Sequence, residues 1–278
     1  MAQSAMWFAV MSLLVKLAGA TMPLMQVVFG RGLVTLLLSS LLLWRAGLWP
    51  LGTRTGLLLM RGVFGSTALI CFYAAIVHLP LAEATVIQQT SPLFTALLAA
   101  WLLRERLEPR VLGAIATCLV GVLLIAQPVW LFGGERAVEL DWRFVAVGLT
   151  AAVLSAFAYV TVRSLGRTEH ALVVVFWFPV VTVTISAPFA VTQWVWPDAI
   201  GWLLLGSIGT VTQLGQMALT HGLSRATAAR ATTMGYLQIA IATVLGAIVF
   251  GVHPDLPSCI GIALIVISLL GTARPKRT

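Results

Sequence analysis

Ten apolar windows follow one another along the chain, and only short polar connections separate them. A helix of about 20 residues crosses the hydrocarbon core of a bilayer, and each window is close to that length. Only 9% of the residues are charged, against about 25% in a soluble domain, so the chain cannot cover a water-exposed surface. We therefore predict an all-α polytopic membrane protein. The windows are 2–20, 24–44, 56–78, 82–103, 110–128, 143–164, 171–192, 198–220, 227–250 and 255–273.

The basic residues predict an orientation for these windows. With the N-terminus in the cytoplasm, thirteen of the seventeen lysines and arginines fall at cytoplasmic connections, as the positive-inside rule requires. They are Arg45, Arg54, Arg61, Arg104, Arg106, Arg110, Arg163, Arg167, Arg225, Arg230, Arg274, Lys276 and Arg277. We predict ten transmembrane helices in the cell inner (plasma) membrane with both termini cytoplasmic. The net charge of +8 is explained by this bias, so no nucleic-acid partner is expected.

Short matches at a shared offset indicate an internal repeat. Lys16–Gly19 resembles Arg163–Gly166, and Val27–Phe29 matches Val174–Phe176, both 147 residues later. A repeat of five spans enters the membrane in the opposite sense in its second copy, which is an architecture of secondary transporters. We predict two inverted five-helix repeats, over residues 1–130 and 143–278, joined by a periplasmic connection at 131–142.

The fourth window carries a polar segment inside a membrane-crossing helix. Gln88, Gln89, Thr90 and Ser91 precede Pro92, and proline removes a helical hydrogen bond and bends the helix. The carbonyl freed in this way needs a partner, which a water-filled cavity or a neighbouring helix can supply. We predict that Gln88, Gln89 and Ser91 line a substrate cavity; the alternative is that they join helices by hydrogen bonds.

Tyr236 and Gln238 occupy the corresponding part of the ninth window. We predict that they form the facing wall of that cavity, where a hydroxyl, an aromatic face and an amide suit a zwitterionic or aromatic small molecule. The alternative is that they only join the two halves of the chain. Tyr73 and Gln213 are further predicted cavity residues. The chain is expected to contact the lipid bilayer and a small-molecule substrate; its oligomeric state is left open, with a monomer as the simplest case.

Two basic residues, Lys16 and Arg31, lie inside apolar windows. Charges within a membrane are costly and normally face a cavity or a partner. One hypothesis is that either residue pairs with Glu83; another is that they bind the carboxylate or phosphate of an anionic substrate. The third is that they extend to the outer headgroups. His78, at the end of the third window, is a candidate proton relay or an ordinary interfacial residue.

No constellation of catalytic residues and no metal-ligand or cofactor motif is visible in the sequence, and the three cysteines are far apart. We therefore expect a protein that is not an enzyme and that needs no cofactor or metal.

Several short motifs occur in an order that resembles the EamA-like, ten-span branch of the drug/metabolite transporter superfamily. They are Lys16–Gly19, Phe29–Gly32, Arg61–Gly65, Tyr73–Ala84, Ser91–Phe94 and Arg104–Arg106. The resemblance implies an inverted two-repeat fold, a central cavity, alternating access and transport of amino acids or other small metabolites. It also implies that Glu105 matches an acid at the inner end of the fourth span, where we predict a coupling or gating role together with Glu83 and His78.

The second half departs from this family pattern at two places. Phe250-Gly251-Val252 stands where Phe-Gly-Glu is common, and Ile239 replaces a proline expected after Gln238. We therefore expect a straighter ninth helix. The function predicted is a secondary transporter that exports an amino acid or related organic anion; the alternative is a membrane-embedded structural or scaffold protein without solute flux.

Overall fold

A computed structural model of the chain describes residues 1–79, 81–132, 141–251 and 255–273, and every regular element in these ranges is helical. Each of the ten predicted windows coincides with one helix or with an interrupted helix. The α-helices are α1 (Ala2–Ala18), α2 (Leu24–Arg45), α3 (Thr55–His78), α4 (Leu81–Gln88), α5 (Ser91–Leu103), α6 (Pro109–Ala126), α7 (Val129–Phe132), α8 (Trp142–Leu165), α9 (Ala171–Thr192), α10 (Ala199–Arg225), α11 (Ala228–Thr233), α12 (Leu237–Phe250) and α13 (Leu256–Ala273). A 3-10 turn, Met234–Tyr236, separates α11 from α12.

Length and composition identify seven membrane-crossing candidates in the described ranges. They are Leu24–Arg45, Thr55–Ile76, Ala84–Leu103, Pro109–Ala126, Trp142–Leu165, Ala171–Thr192 and Ala228–Val249. Two apolar helices are shorter, Ala2–Ala18 and Leu256–Gly271, and α10 is long but carries a buried polar face. The chain is a multi-pass membrane protein; the count of ten spans and the inverted repeat stay predictions.

The predicted interruption at Pro92 is confirmed, because α4 ends at Gln88 and α5 begins at Ser91 with the proline in its first turn. The expectation of a straighter ninth helix concerns its bend and stays a prediction. That segment contains the 3-10 turn Met234–Tyr236 although no proline lies in it. A 3-10 turn changes the hydrogen-bond step from four residues to three, so it interrupts a helix without needing proline.

The helices form two compact units, and each unit takes helices from both halves of the sequence. Unit 1 comprises Met1–Ser66 and Thr161–Arg225, and unit 2 comprises Thr67–Val160 and Ala226–Thr278. This division by spatial contact does not test the predicted division into sequence repeats, which stays a prediction.

In unit 1, α2 packs against α9 and α10, and α1 packs against α10. Glycines on α10 allow the close approach: a Cβ at Gly215 would meet the Phe8 ring, and one at Gly201 would lie 3.7 Å from the Met22 methyl. These contacts show that α1 and α10 are antiparallel. The Thr35 hydroxyl oxygen lies 3.3 Å from the Gly209 carbonyl oxygen, one turn before the Ser39–Gln213 contact, so α2 and α10 run parallel.

Two side chains fasten loops of unit 1 to the α2–α9 pair. The Gln26 amide, fully buried near the start of α2, donates to the Val195 carbonyl at 2.6 Å and accepts from the Val195 amide at 3.0 Å. The Glu169 carboxylate, just before α9, accepts from the backbone amides of Thr53 and Arg54 at 2.8 and 2.6 Å. The loop after each helix is thus held by a residue at the start of the other.

In unit 2, α6 and α13 pack closely through glycine. A Cβ at Gly121 would lie 2.8 Å from the Gly261 carbonyl oxygen, so the two backbones approach directly. The core beside them comprises Cys118, Val122, Tyr236, Ala240, Ile265 and Leu269. At one end of this pair, the Gln127 amide donates to Asp255, which also accepts from the Ser258 amide at the start of α13.

Candidate functional site

The two interrupted helices of unit 2 meet at their breaks. The Tyr236 hydroxyl donates to the Gln89 carbonyl at 2.8 Å. That carbonyl is available because the Leu93 amide, its helical partner, donates to the Thr90 carbonyl instead, at 3.0 Å. The structure therefore brings together two segments that the sequence paired. The Tyr236 ring itself is 0% exposed, so its described role is to join the two breaks, and a substrate contact by Tyr236 stays a prediction.

Gln88, next to this junction, has a polar atom that is not hydrogen-bonded to any described residue. Its amide nitrogen donates to the Ser155 hydroxyl on α8 at 3.1 Å. Its amide oxygen is buried and accepts no hydrogen bond within the described part of the chain. Buried polar atoms are normally satisfied, so this oxygen has acceptor capacity left for a hydrogen-bond donor. Ser91 is also buried, and Gln89 and Gln238 are half-buried.

Glu105 reaches the start of α11 in the same unit. Its carboxylate accepts from the Ala228 amide at 2.8 Å, one of the amides at a helix N-terminus that lack an intrahelical partner. A negative charge there is also favoured by the helix dipole. This contact ties the segment after α5 to the first half of the ninth window, and a gating role for Glu105 stays a prediction.

The remaining predicted residues of unit 2 are placed as follows. His78 is exposed at the end of α3; its ring stacks on Phe144 with centroids 3.7 Å apart, and its Nδ1 lies 2.9 Å from the Ala74 carbonyl oxygen. Tyr73 is half-buried on α3. Glu83 lies in α4, but its side chain falls outside what the structure describes, so its predicted pairing is not tested.

Arg31 is the most unusual charge in unit 1. It is 5% exposed, and the hydrogen-bond contact of its guanidinium among the described residues is the Met11 thioether at 3.5 Å, a weak acceptor. Burying a guanidinium without a carboxylate is costly. Its burial argues against extension to the headgroups and favours an anionic ligand. Lys16, in the last turn of α1, is exposed instead.

The face of α10 that packs against α2 carries a line of buried polar side chains. Gln213 is 3% exposed and accepts from the Ser39 hydroxyl at 3.0 Å. Thr212 and Gln216 are also buried. The sequence indicated Gln213, but it did not indicate Thr212, since nothing in the sequence shows which threonine hydroxyls lack a partner.

Arg61 is a buried residue that the topology argument assigned wrongly. We predicted it at a cytoplasmic connection, but it lies inside α3 and is 3% exposed. Its guanidinium donates to the Gln216 amide oxygen at 3.1 Å and lies 4.6 Å from the centre of the Phe178 ring. Gly65, one turn later on α3, leaves the room that this guanidinium occupies. The position of Arg61 near the edge of its window did not show that its side chain is buried, because α3 begins six residues earlier, at Thr55.

Two carboxyl groups outside the membrane-crossing helices have shifted pKa values. Burial tends to raise the pKa of Glu169, but hydrogen bonds from Thr53 and Arg54 and the charge of Arg54 outweigh it, so the pKa is lowered. The Gln127 amide, followed by Ser258, lowers the pKa of Asp255. Both carboxylates are therefore held in the ionised form by the contacts that fasten their loops.

Comparison with known proteins gives a consistent picture. Residues 1–127 and 142–274 match the sequence profile of the EamA-like transporter family. The chain is 33% identical over 271 residues to the pseudopaline exporter CntI of Pseudomonas aeruginosa, covering 97% of this chain and 93% of that one. It is 29% identical to human solute carrier family 35 member G1, over 82% of this chain and 64% of that one. A protein of solved crystal structure aligns over 98% of this chain with a TM-score of 0.82 and 20% identity, which shows the fold alone.

Proposed function

The chain belongs to the EamA-like transporter family. From this premise we propose that it is a secondary transporter that exports a small metabolite, an amino acid or related organic anion, across the inner membrane by alternating access. That it is a membrane transporter and not an enzyme follows from the family and from its relatives. The substrate class, the direction and the mechanism are the proposal.

The observation that carries the proposal is the pair of joined helix breaks in unit 2. Discontinuous helices mark the substrate sites of many secondary transporters, because unwound backbone presents polar groups at membrane depth. Here the break at Gln89 meets the 3-10 turn that contains Tyr236, and a buried acceptor, Gln88 Oε1, lies beside it. A scaffold protein without solute flux has no need of two interruptions at one place.

Two further observations support the anionic substrate and the direction. Arg31 is buried with a thioether as its described hydrogen-bond contact, which suits an anion that arrives as substrate. The relative from Pseudomonas aeruginosa is an exporter of pseudopaline, so export is the direction to test first and pseudopaline is one compound to test.

Helix pairing within each unit supports the predicted inverted repeat. In unit 1, α2 packs against α9; in unit 2, α6 packs against α13 and α5 against α11. If the windows are numbered in order, each of these pairs joins a helix to the one five places later. Such self-pairing is the contact pattern that a two-fold axis in the membrane plane produces.

Transport by the purified chain in proteoliposomes tests the proposal. The panel contains amino acids, organic anions and pseudopaline, each measured with and without a pH gradient. We expect Arg31→Ala and Gln89→Ala to lower flux while both variants stay folded; Gln89→Ala leaves the backbone bond to Tyr236 in place. Ser40→Ala is the control, because Ser40 is exposed and its hydroxyl donates to Leu36 of its own helix, its one hydrogen bond to a described residue. If the wild type transports none of these compounds, the result counts against this function. If both variants transport normally, the result counts against this site.

A further inference from the structure

We propose that unit 1 contains a carboxylate-binding subsite formed by Arg31, Thr212 and Gln213, held within the α1, α2 and α10 bundle. The proposal rests on the proposed function, since it identifies the chemical group of the substrate that this unit recognises. Thr212 was not among the residues indicated by the sequence. Its assignment comes from the register of the helices and from its buried hydroxyl.

The helix register places the Arg31 guanidinium near the level of Thr212 along α10. Glycines of α10 at 215 and 201 lie against Phe8 of α1 and against Met22, which follows α1. Because the helices are antiparallel, the same register places Met11 opposite Thr212. The Arg31 guanidinium reaches the Met11 sulfur at 3.5 Å, so it extends from α2 to the level of Thr212 on α10.

The Thr212 hydroxyl lacks the hydrogen bond that threonines in helices usually make. Thr210 donates to the Gly206 carbonyl at 2.8 Å, and Thr35 donates to the Arg31 carbonyl at 2.8 Å. Thr212 is 2% exposed, and its hydroxyl has no partner among the residues that the structure describes. A buried hydroxyl left unpaired is costly, so its retention is explained by a ligand that it contacts.

Gln213 adds a second donor from the adjacent position. Its amide oxygen accepts from the Ser39 hydroxyl at 3.0 Å, and its amide nitrogen is buried without an acceptor in the described ranges. Ser39 is therefore a positioning residue, because it holds the amide with its nitrogen unpaired. A guanidinium, a hydroxyl and an amide nitrogen together form a group rich in donors and poor in acceptors.

A carboxylate is the ligand that satisfies this group. It offers two oxygens with about four acceptor positions and binds guanidinium in a planar, bidentate manner. Its negative charge also compensates the buried charge of Arg31. All three side chains are closed to solvent here, so a ligand reaches them after α1 or α10 moves, as alternating access requires.

Ligand-dependent thermal unfolding of the detergent-purified full chain tests the subsite. The probes are succinate, glutamate and citrate, with succinamide as the uncharged match for succinate. We expect at least one carboxylate to raise the unfolding temperature and succinamide to leave it unchanged. Arg31→Gln should abolish the effect, whereas Thr212→Val and Gln213→Leu should each weaken binding about tenfold, as loss of a hydrogen bond to a charged group does. Thr210→Val is the matched control and should bind as the wild type does.

Stability without ligand separates recognition from a structural role. Thr212→Val removes an unpaired buried hydroxyl, so it should unfold at a higher temperature than the wild type while binding carboxylates less well. Wild-type affinity in both Thr212→Val and Gln213→Leu overturns the subsite, as does a wild type that none of the three carboxylates stabilises. If no carboxylate stabilises the wild type but the wild type still transports a compound in vesicles, the subsite fails and the proposed function holds. If carboxylates bind as expected without any flux, the subsite holds and the proposed function fails.

Discussion

The Tyr236 hydroxyl donates a 2.8 Å hydrogen bond to the backbone carbonyl of Gln89, and this bond joins the two interrupted helices of unit 2 at their breaks. One break supplies the acceptor of this hydrogen bond and the other supplies its donor. The change of hydrogen-bond step at Thr90 releases the Gln89 carbonyl, and the 3-10 turn places Tyr236 with its ring buried between α6 and α13. The junction is thus a structural element in which backbone and side chain depend on each other.

Replacing Tyr236 by phenylalanine should destabilise the protein and lower transport. The substitution keeps the buried ring but leaves the Gln89 carbonyl without this donor, which costs about 1–3 kcal/mol. Thermal unfolding in detergent and flux in proteoliposomes measure the two effects. Tyr73→Phe is the control for thermal unfolding alone, because Tyr73 is a predicted cavity residue and its hydroxyl makes no hydrogen bond to a residue that the structure describes. Equal unfolding temperatures for Tyr236→Phe and the wild type would show that the bond contributes nothing.

Removing the Glu105 carboxylate should loosen the start of α11. Glu105→Ala deletes the acceptor of the Ala228 amide and should cost about 1 kcal/mol, as loss of a helix N-cap does. Glu105→Gln keeps an acceptor but loses the charge–dipole term, so its loss should be smaller. Glu108→Ala is the matched control, since Glu108 precedes α6 without a side-chain capping bond. Hydrogen exchange at 228–233 should be fastest in the alanine variant, slower in the glutamine variant and slowest in the wild type. Transport rates should show the reverse order. Unchanged exchange would reject the capping role.

Two glycines with the same backbone conformation should respond differently to alanine. Gly47 and Gly52 have φ of +63° and +61°, a region that costs an alanine about 1–2 kcal/mol. A Cβ at Gly47 meets nothing within 4 Å, whereas one at Gly52 would lie 2.7 Å from a Glu169 carboxylate oxygen. Gly52→Ala should therefore lose about 1–3 kcal/mol more than Gly47→Ala, because overpacking adds to the backbone cost. Chemical denaturation measures the free energy of unfolding of both variants. Equal losses of stability would mean that the loop around Gly52 moves away from Glu169 at no cost.

Acid should weaken the attachment of the loop that contains Thr53 and Arg54. The folded pKa of Glu169 lies below its ordinary value, so the stability it contributes is present above the ordinary carboxyl range of about 4.3 and is lost as pH falls through the lowered value. Glu169→Gln should be less stable than the wild type at pH 7. Its stability should also fall less between about pH 5 and pH 3. Parallel curves of unfolding temperature against pH for the two proteins would contradict this assignment.

The positions of the helices followed from hydrophobic length alone, because in a membrane both the apolar stretch and its polar ends are visible in the sequence. The break at Gln89–Thr90 was predicted as well, since Pro92 makes it visible. The 3-10 turn at Met234–Tyr236 was not, because no residue type requires it. The turn contains Tyr236, whose ring packs in the core beside α6 and α13.

Burial and partners within the site could not be predicted from the sequence. Arg61 lies near the start of its window and Arg31 lies inside its window. Only the packing of the helices shows that both side chains are buried. In the same way Thr210 and Thr212 are two residues apart, yet one hydroxyl bonds its own helix and the other has no described partner. Such differences depend on which helices become neighbours.

The close backbone contact of Gly121 with Gly261 has a consequence for biosynthesis. About 140 residues separate the two glycines, and a ribosome adds roughly 5–20 residues per second. Helix α6 therefore resides in the membrane for on the order of 7–30 s before α13 has been made. During this interval its glycine face must be covered by lipid, by the insertion machinery or by another nascent helix, and the α6–α13 contact of unit 2 forms only when α13 arrives.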